Sequence, residues 1–189
     1  MMRIITGTAR GFRLQTLPGE DTTRPTTERV KESIFSTLQF EIAGRSVLDL
    51  FAGSGQMGLE ALSRGARFAV FVDSSKQACD IVSANARGAR LTAQMRIANT
   101  NAQAFCERTS ERFDIAFLDP PYRAGLLPSL LSQVVCLMNE GGAVVCETDD
   151  QTVMPERVDG DTLSLVLEKD KRYGKTHVWI YRCKKEAIE

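Results

Sequence analysis

Val47-Leu48-Asp49-Leu50-Phe51-Ala52-Gly53-Ser54-Gly55-Gln56-Met57-Gly58 reads as an apolar strand that enters a glycine loop and leaves as a helix. Gly53, Gly55 and Gly58 stand in a G-x-G-x-x-G spacing, and the first two let a backbone turn tightly and approach a ligand closely. The next strand ends in Phe71-Val72-Asp73, which puts an acid about 20 residues past the loop, where it can accept hydrogen bonds from ribose hydroxyls. A glycine loop that only lets helix and strand pack gives no role to that acid. The pair therefore points to a nucleotide-like ligand, dinucleotides included.

Asp49 narrows the ligand. It lies near the C-terminal end of the first strand, just before the loop. A carboxylate there repels a pyrophosphate and suits a ligand carrying an amino group and a sulfonium. S-adenosylmethionine has both, and a ribose. A helix- or loop-capping acid is the other reading of Asp49.

Outward from the loop, strands and helices alternate. Strand candidates are Ser46–Leu50, Ala69–Asp73, Gln94–Ala98, Phe113–Leu118 and Ala143–Glu147; helix candidates are Gln56–Arg64, Ser75–Arg87, Ala102–Arg108 and Leu126–Met138. That rhythm predicts an α/β fold, a mostly parallel sheet with helices on both faces. Leu163–Glu168 and Thr176–Cys183 have no helix between them and read as a closing antiparallel hairpin, with Arg172-Tyr173-Gly174-Lys175 in its turn region. Seven strands are expected in the main sheet. Upstream, Arg3–Leu14 reads as two short strands around a Gly7–Gly11 turn. Thr26-Thr27-Glu28 after Pro25 reads as the start of a helix whose apolar face is Val30, Ile34 and Leu38. The organisation expected is one domain over 1–189, with a hairpin-and-helix extension over 1–40 and a core over 45–185.

Composition bounds the rest. The chain has 189 residues, 43% hydrophobic and 25% charged, an ordinary globular balance. No apolar run approaches the roughly 20 residues of a transmembrane helix, and the start lacks the apolar core of a secretory signal, so a cytoplasmic protein without membrane contact is expected. The five cysteines, Cys79, Cys106, Cys136, Cys146 and Cys183, form no C-x-x-C pair, and neither a disulfide framework nor a metal site is expected. Net charge is zero, which argues against a strongly basic coat, yet cations gather near both ends. Arg10, Arg13, Arg24, Arg29 and Lys175 are candidates to meet nucleic-acid phosphate, with solvated surface charge as the alternative for each. His177, Trp179 and Tyr181 alternate along one strand and read as strand-face or core residues.

The most specific signal is Asp119-Pro120-Pro121-Tyr122, after the fourth strand. Consecutive prolines fix the backbone and offer no N–H donors. The Asp119 carboxylate and the Pro120 carbonyl remain as acceptors for the two hydrogens of an exocyclic amine. A nucleobase amine is a poor nucleophile because its lone pair is delocalised into the ring. Accepting its hydrogens favours a pyramidal nitrogen whose lone pair can point at a methyl donor. Tyr122 offers a flat face for a base taken out of its stack.

Asp119–Tyr122 resembles motif IV of amino-methyltransferases, and Asp49–Gly58 resembles their motif I. Arg3–Leu14 with its Arg10-Gly11 turn, Arg24-Pro25-Thr26-Thr27-Glu28-Arg29-Val30-Lys31-Glu32 and Leu59-Glu60-Ala61-Leu62-Ser63-Arg64-Gly65-Ala66 narrow the match. Together they resemble the bacterial methyltransferases that modify guanine N2 in small-subunit (16S) ribosomal RNA. The resemblance runs from Arg3 to about Arg182, and the R-P-T-T segment discriminates the family. It implies a Rossmann-like, seven-stranded class I methyltransferase fold. It implies S-adenosylmethionine at Asp49, Phe51, Ala52, Gly53, Ser54 and Gly55, with the ribose on Asp73. Asn101 and Ala102 fall where such enzymes bind the adenine, with Asn101 in place of a usual aspartate. Asp119, Pro120, Pro121 and Tyr122 would position the base. Gln56-Met57 replaces a smaller apolar pair, and Thr6 stands where glycine is common. The implied partner is 16S rRNA, in the small ribosomal subunit or its assembly intermediates, and a monomer is expected.

Three other readings stay open on the residues alone. A DNA adenine-N6 or cytosine-N4 enzyme shares the chemistry, but no separate target-recognition domain is visible. A nicotinamide oxidoreductase fits the glycine loop but gives Asp119–Tyr122 no role. A non-catalytic cofactor- or RNA-binding module would not need that run intact. A glutamine methyltransferase usually has asparagine at the position of Asp119.

Overall fold

The structure is a computed structural model, and it describes residues 2–17, 28–120 and 127–185. Arg24, Thr26 and Thr27 at the expected helix start, Pro121 and Tyr122 lie outside the described residues. The chain divides into two compact units, 1–102 and 103–189.

The first unit starts with an N-terminal arm. Where two strands are expected, Arg3 and Arg13 form a single antiparallel bridge. Ile4 N donates to Phe12 O at 2.9 Å and Leu14 N to Met2 O at 3.0 Å across the arm, but the N–H groups of Ile5, Thr6 and Ala9 are taken by side chains of α2, so the pairing does not grow into a longer ladder. Helix α1 (Glu28–Thr37) buries Val30, Ile34 and Phe35 and exposes the other side. Strands β1 (Ser46–Asp49), β2 (Phe68–Asp73) and β3 (Met95–Asn99) follow, with α2 (Gln56–Ser63) between the first two and α3 (Lys76–Gly88) between the last two. β1 pairs parallel with β2, and β2 parallel with β3. Val47, Leu48, Val70 and Phe71 are fully buried, because a strand covered on both faces has no solvent side to make polar.

Each helix meets the sheet closely. A Cβ on Gly58 would lie 2.3 Å from Phe71 Cε1, so only glycine lets α2 pack on β2 here. α3 is capped by Ser75, whose side chain accepts from Ala78 N at 3.2 Å.

In the second unit α4 (Ala102–Arg108) leads to β4 (Phe113–Leu118). Then come α5 (Leu127–Val134), β5 (Met138–Asp149), β6 (Arg157–Asp159), β7 (Leu163–Tyr173) and β8 (Thr176–Lys185). β4 and β5 are parallel, with Leu118 beside Cys146. β5 then pairs antiparallel with β8, β8 with β7, and β7 with β6. The helix expected to run to Met138 stops at Val134 and tightens into a 3-10 turn over Val135–Leu137. Eight strands are present among the described residues, one more than expected. The addition is β6, three residues whose backbone pairs with Arg157 opposite Val166 and whose polar sequence carries no strand signal. No described helix is long and apolar enough to cross a membrane.

Candidate functional site

The glycine loop is clasped by two carboxylates from neighbouring strands. Asp49, the last residue of β1, accepts from Gly58 N at 2.9 Å. Asp73, the last residue of β2, accepts from Gly53 N at 2.9 Å through one oxygen and from Ser75 N at 2.8 Å through the other. Gly53 and Gly55 have φ of 51° and 79°, the left-handed region that side chains disfavour. Ala52 N donates to Val72 O at 3.0 Å, and Gly55 N to Ala52 O at 2.6 Å, so the loop curls back onto β2.

Asp49 is buried, with 4% of its surface exposed. Burial pushes its carboxyl up to about 7; the nearby Asp73 charge adds to the rise and the Gly58 N–H bond opposes it. A buried carboxyl poised near neutrality is well placed to meet a cation, which would draw it into the ionised form.

Around this clasp, Asn99 Nδ2 donates to Asp73 O at 3.0 Å and Ser74 O at 3.1 Å, tying the end of β3 to the end of β2. Asn101 is exposed and Ala102 buried in the segment that follows. Phe51 is half-buried and Ser54 buried at the loop. Gln56 Oε1 is buried and has no hydrogen-bond partner among the described residues, an orphaned acceptor at the first turn of α2. Left-handed glycines, two carboxylates and an orphaned acceptor form a concentrated polar cradle that fits a ligand with a ribose and a cationic amino-acid tail.

Sequence reasoning misses two residues that hold this cradle in place. Asn85 is fully buried on α3. Its Nδ2 donates to Ser54 O at 2.9 Å and Gln15 O at 3.0 Å, and its Oδ1 accepts from Gln15 N at 2.8 Å. Glu60, also fully buried, accepts from Ile5 N at 2.7 Å, Thr6 N at 3.0 Å and Arg64 Nε at 2.8 Å. Lys31 Nζ lies 3.6 Å from Glu60 and donates to Arg3 O at 2.6 Å. Burial lowers the Lys31 pKa, and Glu60 opposes that shift. For Asn85 the sequence signal is a polar side chain within a helix pattern; Glu60 lies in the Leu59–Ala66 stretch that narrows the resemblance, which gives it no role.

The N-terminal arm is docked on the end of α2, where Ser63 Oγ donates to Thr6 O at 2.6 Å and accepts from Ala9 N at 3.0 Å. Arg10, Arg13 and Arg29 are exposed on the first unit. Lys175 is exposed on the second.

In the second unit, Asp119 and Pro120 follow directly on the C-terminal end of β4. Asp119 is half-buried and Pro120 buried. β4 is buried from Ile115 to Leu118, so the strand is a rigid base for the residues leaving it. His177 is 3% exposed and Tyr181 fully buried, as strand-face residues should be, while Trp179 is half-buried.

A family model described as "Conserved hypothetical protein 95" matches residues 2–182. The chain belongs to that family. A Bacillus subtilis (strain 168) protein, "Putative rRNA methyltransferase YlbH", is 39% identical over 186 residues, covering 96% of this chain and 98% of that one. "Ribosomal RNA small subunit methyltransferase D" of Escherichia coli (strain K12) is 37% identical over 131 residues, covering 69% and 65%. Among solved structures, "Putative methyltransferase yhhF from Escherichia coli" aligns with a TM-score of 0.83 at 29% identity, over 98% of this chain and 99% of that one. The family therefore carries the methyltransferase fold, a mixed α/β architecture with a central parallel sheet.

Proposed function

We propose that this chain transfers a methyl group from S-adenosylmethionine to the exocyclic N2 of a guanine in 16S rRNA, presented in the small ribosomal subunit or an assembly intermediate in the cytoplasm. The observation that carries most weight is the placing of Asp119-Pro120 at the C-terminal end of β4, in a chain whose relatives are named as rRNA methyltransferases. The cofactor supplies an electrophilic methyl group on a sulfonium.

The protein's own groups do the rest. Asp49 meets the cationic amino-acid portion, Asp73 the ribose, and Phe51, Ala52, Gly53, Ser54 and Gly55 line the approach. Asn101 and Ala102 face the adenine, where the Asn101 amide oxygen can accept a hydrogen bond. The Asp119 carboxylate and the Pro120 carbonyl accept hydrogen bonds from the two N2 hydrogens and turn the nitrogen lone pair toward the methyl. As the N–C bond forms and the sulfur leaves as a neutral thioether, the Asp119 carboxylate takes the one surplus N2 proton and passes it on to water. Pro121 stiffens the loop and Tyr122 supports the base. Arg10, Arg13, Arg24, Arg29 and Lys175 hold the RNA backbone. No covalent enzyme intermediate is needed; orientation and hydrogen bonding supply the catalysis.

The test is transfer of labelled methyl from S-adenosylmethionine to small subunits purified from cells lacking this enzyme, followed by nucleoside analysis. N2-methylguanosine is the expected product. Absence of label in the RNA refutes the substrate assignment. In the same assay Asp119→Ala should abolish transfer while cofactor affinity changes by less than about twofold, because the carboxylate acts on the base.

A further inference from the structure

The β7–β8 hairpin carries positive charge that its own acids do not neutralise. Residues 168–175, Glu-Lys-Asp-Lys-Arg-Tyr-Gly-Lys, hold four cations and two acids. Both acids are engaged: Asp170 Oδ2 lies 2.9 Å from His177 Nε2, and Glu168 accepts from Arg182 Nη2 at 2.9 Å. Asp149, opposite Thr176, is turned into its own loop, accepting from Thr152 N at 2.9 Å and Thr152 Oγ1 at 2.6 Å. Lys169, Lys171, Arg172 and Lys175 are all exposed. Lys171 Nζ lies 5.3 Å over the Tyr173 ring, an arrangement that leaves its charge available.

Strand register locates this charge. β4 and β5 run parallel, with Leu118 beside Cys146, and Cys146 faces Trp179, which faces Asp170. In the next row Glu147, Val178 and Lys171 are aligned, one step along from Leu118, at the level where Asp119 leaves the sheet. The Gly174-Lys175 turn lies further on, past the Asp149–Thr176 pair that ends β5. Three strand spacings separate β4 from β7, roughly 14 Å. Near its turn the hairpin is tied to β5. Trp179 Nε1 donates to Thr148 Oγ1 at 3.0 Å, and the Trp179 ring sits 3.9 Å from the buried His177 ring.

We propose that the β7–β8 tip is an RNA-backbone clamp, in which Lys171, Arg172 and Lys175 neutralise phosphates flanking a base seated at Asp119–Pro120. This rests on the reading that RNA is the substrate. A rigid ribbon with unneutralised cations, a few nucleotides from the reacting position, would position the strand without reading its sequence.

The test compares the wild type, Lys171→Ala/Arg172→Ala/Lys175→Ala, and a control, Lys184→Ala/Lys185→Ala, at the other end of β8. Binding of a fluorescent single-stranded oligoribonucleotide is measured against salt, alongside methyl transfer to unmodified small subunits. The triple variant should lower the slope of log affinity against log salt by about 2, since each phosphate that a cation neutralises adds about 0.7 to that slope on a single strand. Its KM for subunits should rise at least about tenfold, with kcat and cofactor affinity unchanged, and the control should track the wild type. Equal slopes and affinities in the triple variant and the wild type overturn the clamp, as does absence of RNA binding by the wild type. If the wild type binds RNA but methylates no subunit, the substrate reading fails and the binding comparison alone decides the clamp.

Discussion

Replacing Asp49 by asparagine separates the charge of this carboxylate from its geometry. Asparagine keeps an oxygen that can accept from Gly58 N, the 2.9 Å bond that ties β1 to α2. It cannot ionise. In the wild type the carboxyl rises from 3.8 to about 7, chiefly because burial penalises its charge. A group whose folded pKa is raised holds a proton in the native state that the unfolded chain has already lost. Wild-type stability therefore falls as pH rises between about 4 and 7, by about 4 kcal/mol if Asp49 acts alone. Asp49→Asn escapes that fall. In urea titrations it should match the wild type near pH 4 and exceed it increasingly up to pH 8. Cofactor binding should move the opposite way, because a cationic ligand favours the ionised carboxylate. The ionised fraction climbs from about 0.1 at pH 6 to about 0.9 at pH 8, so the wild-type Kd should tighten about tenfold across that span. Asp49→Asn should bind more weakly and show a flat profile, read by calorimetry at each pH. Stability and affinity profiles of Asp49→Asn that run parallel to the wild type would refute the reasoning, since the titrating group would then be another.

Three further perturbations bear on the same unit. Asp73→Ala removes the acceptor of Gly53 N and Ser75 N and should weaken cofactor binding by about 1.5–3 kcal/mol; an unaltered dissociation constant would show the ribose interaction to be misassigned. Glu60→Ala strands the Lys31 cation, 1% exposed, and frees the Ile5 and Thr6 N–H groups. It should cost about 3–5 kcal/mol in urea unfolding, with Glu60→Gln milder. Gly58→Ala forces a Cβ to 2.3 Å from Phe71 Cε1 and should cost about 1–3 kcal/mol, part of which Phe71→Leu in the same chain should restore.

Local pattern carries much of the architecture. The sequence predicts β4 at Phe113–Leu118 and the strand is found there, because its apolar run is bounded by polar residues on one side and prolines on the other. The hairpin strands extend beyond their expected limits. β7 is expected to end at Glu168 and reaches Tyr173, since residues 169–173 are mostly polar and exposed, and only backbone pairing with β8 makes them a strand. β5 likewise extends back to Met138 through Asn139-Glu140-Gly141-Gly142, a stretch that reads as a turn.

For the candidate site, the residue types and their order along the chain are enough to nominate Asp49, the glycine loop, Asp73 and Asp119, and their places at strand ends and in a tight turn are encoded by neighbours in sequence. Tertiary structure alone decides what each polar group faces. It makes Asp49 the partner of Gly58 and Asp73 the partner of Gly53, buries the Glu60–Lys31 pair, and sets Asn85 between Ser54 and Gln15. Those pairings mostly join residues far apart in the chain, and a buried polar group finds its partner by proximity in the folded state, which periodicity does not record.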